Sequence, residues 1–149
     1  MAYSATYNAT IKAPQAKVYD YIADVARHGE WGSTEDHMKA TAEKPGAPAV
    51  GARYKAEGVL NGKVNQSVVT VTALEPPKRI AFDAEDSNSI FHHEFVLTQV
   101  DGGTAVERRV TMTKGPFYFP LVLSIFKSTV VKNYQGAMDN LKAKLEAGG

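Results

Sequence analysis

The segment that most constrains the fold runs from Phe117 to Leu145. It is the longest stretch of this 149-residue chain with helical periodicity. With Leu141 at the centre of one face, Leu123, Phe126, Val130, Tyr134, Ala137, Met138 and Leu145 fall on the same side of a helix. Lys132, Asn133, Asp139, Asn140 and Lys142 fall mostly on the other. Such a helix has one stripe to bury, and a stripe this long needs a large apolar partner surface. Everything before it reads as short strands and turns, so the expected partner is a curved antiparallel sheet wrapped around the helix. The first half departs from the pattern. Leu121, Val122, Leu123, Ile125 and Phe126 are apolar nearly all the way round, behind Phe117, Tyr118 and Phe119. A surface helix does not need that much apolar area.

The preceding chain supports this layout. Tyr3 to Ile11 alternates, with Tyr3, Ala5, Tyr7, Ala9 and Ile11 on one face of a first strand. Ala13-Pro14 stops it, and proline suits the first turn of a helix, where its missing N–H is not needed. A short helix from Pro14 to about Ala23 follows, with Val18, Tyr21, Ile22 and Val25 as its buried stripe. Asp24 is placed to cap a second helical turn, Val25 to His28, ended by Gly29. Gly32 to Gly51 is the least regular part, with a short strand expected over Met38 to Ala42. Strands are then predicted over Arg53 to Leu60, Lys63 to Glu75, Lys78 to Glu85, Ile90 to Val100 and Thr104 to Thr113. Asn61-Gly62 and Asp101-Gly102-Gly103 supply hairpin turns, and Pro76-Pro77 a break. Strands followed by a helix predict an α+β domain, residues 1–149, with about six to seven strands and one face of the sheet in water.

The bulk composition removes whole classes of function. A net charge of +1 gives no global electrostatic case for nucleic acid or an anionic membrane. The absence of cysteine rules out disulfides, thiol nucleophiles and thiolate metal sites. The apolar run near residue 120 falls far short of the roughly 20 residues of a membrane span. The N-terminus lacks a charged-then-apolar signal pattern, so a cytoplasmic location is expected.

The order of elements and several local signatures resemble the START-like helix-grip superfamily, in particular the polyketide cyclase/dehydrase and lipid-transport (SRPBCC) group. The matching pieces are Ala13-Pro14 through Val18 and Asp24, then Trp31. Next come Val71 through Glu75-Pro76-Pro77-Lys78-Arg79-Ile80-Ala81-Phe82, Gly102-Gly103-Thr104, and the C-terminal helix. The resemblance implies a sheet gripping the helix with an apolar cavity between them. It covers nearly the whole chain and specifies fold, since the group shares a cavity rather than a catalytic motif.

Strand alternation selects the residues that face inward. Phe91, His93, Phe95 and Leu97 form the more apolar set of one strand, and Val106, Arg108, Val110 and Met112 that of the next. Tyr54, Ala56, Gly58 and Leu60 point the same way. Lys63 to Glu75 leaves its phase open, because Val69, Val71 and Ala73 compete with Val64, Val68 and Leu74, and a bulge would switch faces midway. His93 reads as an acid/base or polar anchor, or as a neutral histidine bonded to Tyr134 or a carbonyl. Arg108 reads as a clamp for a ligand carboxylate or phosphate, as the partner of an internal acid such as Glu57, or as an arginine reaching the rim. Tyr134 offers a hydroxyl to the cavity, and Trp31 lines its mouth or packs the short helices. With Tyr54, Phe91, Phe95, Val110, Phe126 and Val130, these are the candidate ligand-binding residues.

Other polar clusters are weaker. In His92-His93-Glu94 only His92 and Glu94 share a face, too few ligands for zinc, so no metal is expected. His28, Glu30, Glu35, Asp36 and His37 read best as solvated loop charges. Ser33, Ser67, Ser124 and Ser128 lie in no nucleophile-elbow context.

Three functions follow. The first is binding of a small hydrophobic or amphipathic molecule such as a lipid, fatty acid or polyketide-like ring, oriented by Arg108, His93 and Tyr134. The second is a cyclase or dehydrase using His93 with Tyr134 or Arg108, without metal or redox cofactor. The third is a co-chaperone-like interaction domain. Phe117 to Phe126 has three matching readings: an entrance for ligand, a homodimer contact, or core folded inward.

Overall fold

The computed structural model describes residues 4–31, 39–44, 46–60 and 63–148. Tyr3, Gly32, Ser33, Glu35, Asp36, His37, Met38 and Asn61-Gly62, to which roles are assigned above, lie outside the described residues.

The chain forms β1 (Ser4–Ile11), α1 (Gln15–Ala23), a 3-10 helix (Val25–Glu30), β2 (Lys39–Ala42), β3 (Arg53–Leu60) and β4 (Lys63–Glu75). β5 (Arg79–Glu85), β6 (Ile90–Val100), β7 (Gly103–Lys114), α2 (Phe119–Ile125) and α3 (Lys127–Glu146) follow. The strands make one seven-stranded sheet in the order β1-β7-β6-β5-β4-β3-β2, and every pair is antiparallel. This is the α+β helix-grip arrangement expected from the sequence.

Alternation decides what each strand buries. Tyr7 and Ile11 of β1, Tyr54 and Ala56 of β3, His93, Phe95 and Leu97 of β6, and Val106, Arg108, Val110 and Met112 of β7 all face the core. The open phase of β4 resolves through a bulge. Val71 pairs with Phe82 and Ala73 with Ala81, so Thr72 is the extra residue. Val69 and Val71 are buried before the bulge, and Leu74 packs against the core after it.

One end of the inner face is closed by α1 through Val18, Tyr21 and Ile22, and by the 3-10 helix. In a 3-10 helix residues three apart eclipse, so Val25 and His28, continued by Trp31, form a single buried edge. This turn runs to Glu30 rather than ending at His28, and Asp24 makes no side-chain capping bond. α3 lies along β1. Lys142 Nζ donates to Thr10 O at 2.7 Å and Gln135 Nε2 to Asn8 O at 3.3 Å, while the Tyr134 ring stacks on Tyr7 at 5.2 Å.

The predicted single helix from Phe117 to Leu145 is two helices. Phe126, at φ −96° and ψ 22°, breaks it. The flanking run Ser124-Ile125-Phe126-Lys127-Ser128-Thr129-Val130-Val131 is rich in serine and β-branched residues, which are weak helix formers. The buried stripe survives only in the second half, at Ala137, Met138, Leu141 and Leu145. Phe126, placed on that stripe from the sequence, is 58% exposed. α2 has no buried residue, so the inward-core reading of Phe117 to Phe126 does not hold.

Gly103 opens β7 where the β1 backbone crosses closely: a Cβ there would collide with Ile11 O. The obstacle is backbone and cannot swing aside. Gly103→Ala is predicted to destabilise the fold by about 1–3 kcal/mol, read as a lowered urea midpoint. An unchanged midpoint would contradict the close packing of β7 on β1.

Candidate functional site

The sheet register builds one polar cluster on an otherwise apolar face. Arg108 on β7 is paired with Phe95 on β6 and with Tyr7 on β1. His93 lies two residues before Phe95 on the same face, diagonal to Arg108 and within reach of its long side chain. Arg108 Nη2 donates to His93 Nδ1 at 3.1 Å. The guanidinium carbon lies 4.9 Å from the centre of the Tyr134 ring, 5.0 Å from Phe95 and 5.9 Å from Trp31. β6, α3 and the residue that ends the 3-10 helix therefore each give one ring, Phe95, Tyr134 and Trp31, to an aromatic cage around the β7 cation.

The protonation pattern follows from the contacts. An arginine only donates, so His93 Nδ1 must be the bare nitrogen and Nε2 carries the ring proton. His93 also stacks on Phe82 at 4.9 Å. Burial, then the Arg108 charge, hold its pKa well below the ordinary histidine value. His28 stands behind Trp31 and Phe82, at 4.8 Å and 5.5 Å between ring centres. Its Nε2 donates to Ile22 O at 2.7 Å, and burial pulls its pKa down to about 4. Both imidazoles are neutral at neutral pH.

Arg108 is the unusual member. It is buried, and burial lowers its pKa from the ordinary value, yet the charge stays. No carboxylate among the described residues pairs with it; the groups that favour its charge are Tyr134 and Tyr7. The proposed internal partner Glu57 is exposed on β3, and Arg108 does not reach the rim. Its Nε–H and the Trp31 Nε1–H are both buried with no acceptor among the described residues. Both groups are donors. Among the described residues, the cluster thus presents two donors without acceptors and no carboxylate to balance the cation.

Of the residues singled out from the sequence, Trp31, His93, Phe95, Arg108 and Tyr134 come together. Val110 adjoins them as the cross-strand partner of His93. Phe91, half-buried, lies one inward position before His93, and Val130, half-buried, one turn before Tyr134. Tyr54 is buried four strands away on β3, and Phe126 stands exposed at the helix break. Tyr7, His28 and Phe82 belong to the cluster and are missing from the sequence-based set. For His28, read above as a solvated loop residue, the usable signal is the three-residue spacing with Val25 and Trp31. His92 and Glu94 are engaged on the other face, His92 Nδ1 hydrogen-bonded to Asp83 Oδ1 at 2.6 Å and Glu94 in ion pairs with Arg79 and Arg109. Among the described residues no group of acids and histidines could hold a metal. Two surface concavities, of about 720 and 600 Å³, are lined by β3–β5 residues such as Lys55 and Thr70, and by α1 residues such as Lys17 and Asp20. Neither includes the Arg108 cluster.

Residues 3–146 match the family described as polyketide cyclase / dehydrase and lipid transport. The chain belongs to this family. Solved structures agree on the fold. A protein from Thermus thermophilus, TTHA0849, superimposes with a TM-score of 0.79 at 17% identity, over 99% of both chains. The Zhui aromatase/cyclase from Streptomyces sp. R1128 gives 0.78 at 14% identity, over 98% of this chain and 94% of the other. Ara h 8.0201 gives 0.74 at 14% identity, over 99% of both. Among curated protein sequences none matches. No helix among the described residues is long and apolar enough to cross a membrane.

The neutral histidines make stability depend on pH. A histidine whose folded pKa is depressed binds its proton more readily when unfolded. Its contribution is complete above the unfolded pKa, near 6.5, and is lost as pH falls towards the folded value. For His28, with a folded value of about 4, the loss by pH 5 is about 2 kcal/mol, and His93 adds to it in the same direction. Urea unfolding at pH 7.5 and pH 5 measures this. Equal stability at both would show that the imidazoles are not buried neutral.

Proposed function

We propose that the chain binds a small amphipathic molecule between the sheet and α3, with an apolar body and an acceptor-rich or anionic head held by Arg108. The observation that carries this reading is the buried guanidinium with no carboxylate partner among the described residues, beside a second donor on Trp31 with no described acceptor. A charge taken out of water without a partner costs several kcal/mol. A ligand carboxylate, phenolate or enolate supplies the missing acceptor, and the rings of Phe95, Trp31 and Tyr134 suit an apolar neighbour. α3 is buried at its C-terminal end, whereas its inward-facing Tyr134 and Val130 are only half-buried, which favours entry beneath its N-terminal half. Val110, Phe91 and Val130 extend the apolar lining.

The cyclase or dehydrase reading gains less support. Its proposed base, His93, has Nδ1 occupied by Arg108 and a proton on Nε2. It can donate to a developing enolate, but it has no lone pair with which to remove a proton.

Calorimetric titration with dodecanoate and with dodecanol separates the parts of this proposal. The parent chain is predicted to prefer the carboxylate. Arg108→Met is predicted to weaken dodecanoate binding about 10- to 100-fold, the worth of a charge-assisted hydrogen bond, and to leave dodecanol binding unchanged. Removing the unbalanced cation should keep or raise fold stability. Equal dodecanoate affinity in parent and variant would remove Arg108 from the site, and no binding of either probe would count against the cavity.

A further inference from the structure

α2 has no fully buried residue, and its side chains sort into two faces. Leu121 and Ile125 are 65% and 68% exposed, and Val122 joins them. Phe119, Pro120 and Leu123 are half-buried on the opposite side. Phe117, 95% exposed, and Tyr118 extend the outer face at one end and Phe126 at the other. At about 100° per residue Tyr118, Leu121, Val122 and Ile125 form one continuous surface. An apolar surface this continuous marks an interaction site.

Along the chain the charge flanking it has a single sign, while Asp86, bonded to Ser89 beside Gly115, stands near one end. From Arg108 to Met138 the sequence holds no aspartate or glutamate, while Lys114, Lys127 and Lys132 bracket the apolar run. Lys114 ends β7 and Lys127 opens α3, and both are exposed. Neither forms a salt bridge with a described residue. The overall charge of +1 conceals this local excess, because the acids lie elsewhere in the chain.

We infer that this face docks on an anionic phospholipid bilayer. Leu121, Ile125 and Phe126 enter the boundary between headgroups and acyl chains, and Lys114 and Lys127 meet the lipid phosphates. A bilayer interface accepts apolar side chains at one depth and cations just above it, so it uses both features of the patch at once. Phe117 and Tyr118 supply the ring-bearing side chains that favour that level. A second copy in two-fold contact would bury the same apolar residues but bring like lysines together. The docking stands whatever occupies the Arg108 cluster.

Vesicle flotation of the full chain tests it, with phosphatidylcholine vesicles alone and with added phosphatidylglycerol, at low and high salt. The bound fraction is expected to rise with phosphatidylglycerol and to fall with salt. Leu121→Ser with Ile125→Ser is expected to abolish binding. Lys114→Gln with Lys127→Gln is expected to weaken it by about fivefold per lysine on anionic vesicles only. These side chains are exposed, so circular dichroism melting should be unchanged and the loss attributable to the surface. Absence of binding to anionic vesicles at low salt would overturn the inference, as would binding that either double variant retains in full. So would light scattering that shows a dimer dissolved by the serine variant, which would make the face a self-interface.

Discussion

One dimension governs the molecule: a seven-stranded sheet is wider than the helix available to cover it. Seven strands span about 29 Å across, and a helix with its side chains is about 10–12 Å thick. α3 therefore cannot seal the inner face alone. It settles along β1, at one edge, where Tyr134 stacks on Tyr7 and Lys142 and Gln135 reach β1 carbonyls. α1 and the 3-10 helix close another part through Ile22, Val25, His28 and Trp31. Between these covers the middle of the sheet must curl, and α1 reaches β5, β6 and β7 only at one end of the inner face.

The polar cluster sits in that middle. β6 and β7 are interior strands of the sheet, and His93 and Arg108 project from them into an apolar enclosure. A structural arginine in such a place normally has a carboxylate beside it. Here Arg108 donates to a histidine nitrogen, and the rings of Tyr134, Phe95 and Trp31 surround it. Aromatic quadrupoles and one neutral hydrogen bond soften the cost of burying the charge but leave Nε–H without use. The acceptor is missing among the described side chains, and a ligand is one group that would supply it. Family membership and fold are compatible with this and do not by themselves name a ligand.

Much of the fold can be read from periodicity, because the two-residue repeat of a strand is rigid. The inward placing of His93 and Arg108 rests on that repeat alone and holds. So does the bulge in β4, where two competing hydrophobic phases in one strand require an extra residue. Other features depend on three-dimensional neighbours that no local pattern encodes. The sequence offers Arg108 three readings, and the histidine it meets is in none of them, because diagonal contacts between strands depend on register. His28 looks solvated because charged neighbours dominate its sequence context, whereas burial in a 3-10 helix follows a period of three that a 3.6-residue template misses. Phe126 fits the helical stripe, but the serines and β-branched residues around it weaken the helix enough for it to break there.

The central claim concerns one hydrogen atom, that on Arg108 Nε, and NMR of the arginine side chains observes it directly. In a ¹⁵N-labelled sample the Arg108 Nε–H resonance, assigned by its loss in Arg108→Met, is followed during titration with decanoate and, separately, decanol. If this donor awaits a ligand acceptor, decanoate moves the proton resonance downfield and slows its exchange with water, and decanol does not. A resonance unmoved by saturating decanoate, with the amphiphile shown to be bound elsewhere on the chain, would contradict the assignment of Arg108 as the ligand's anchor.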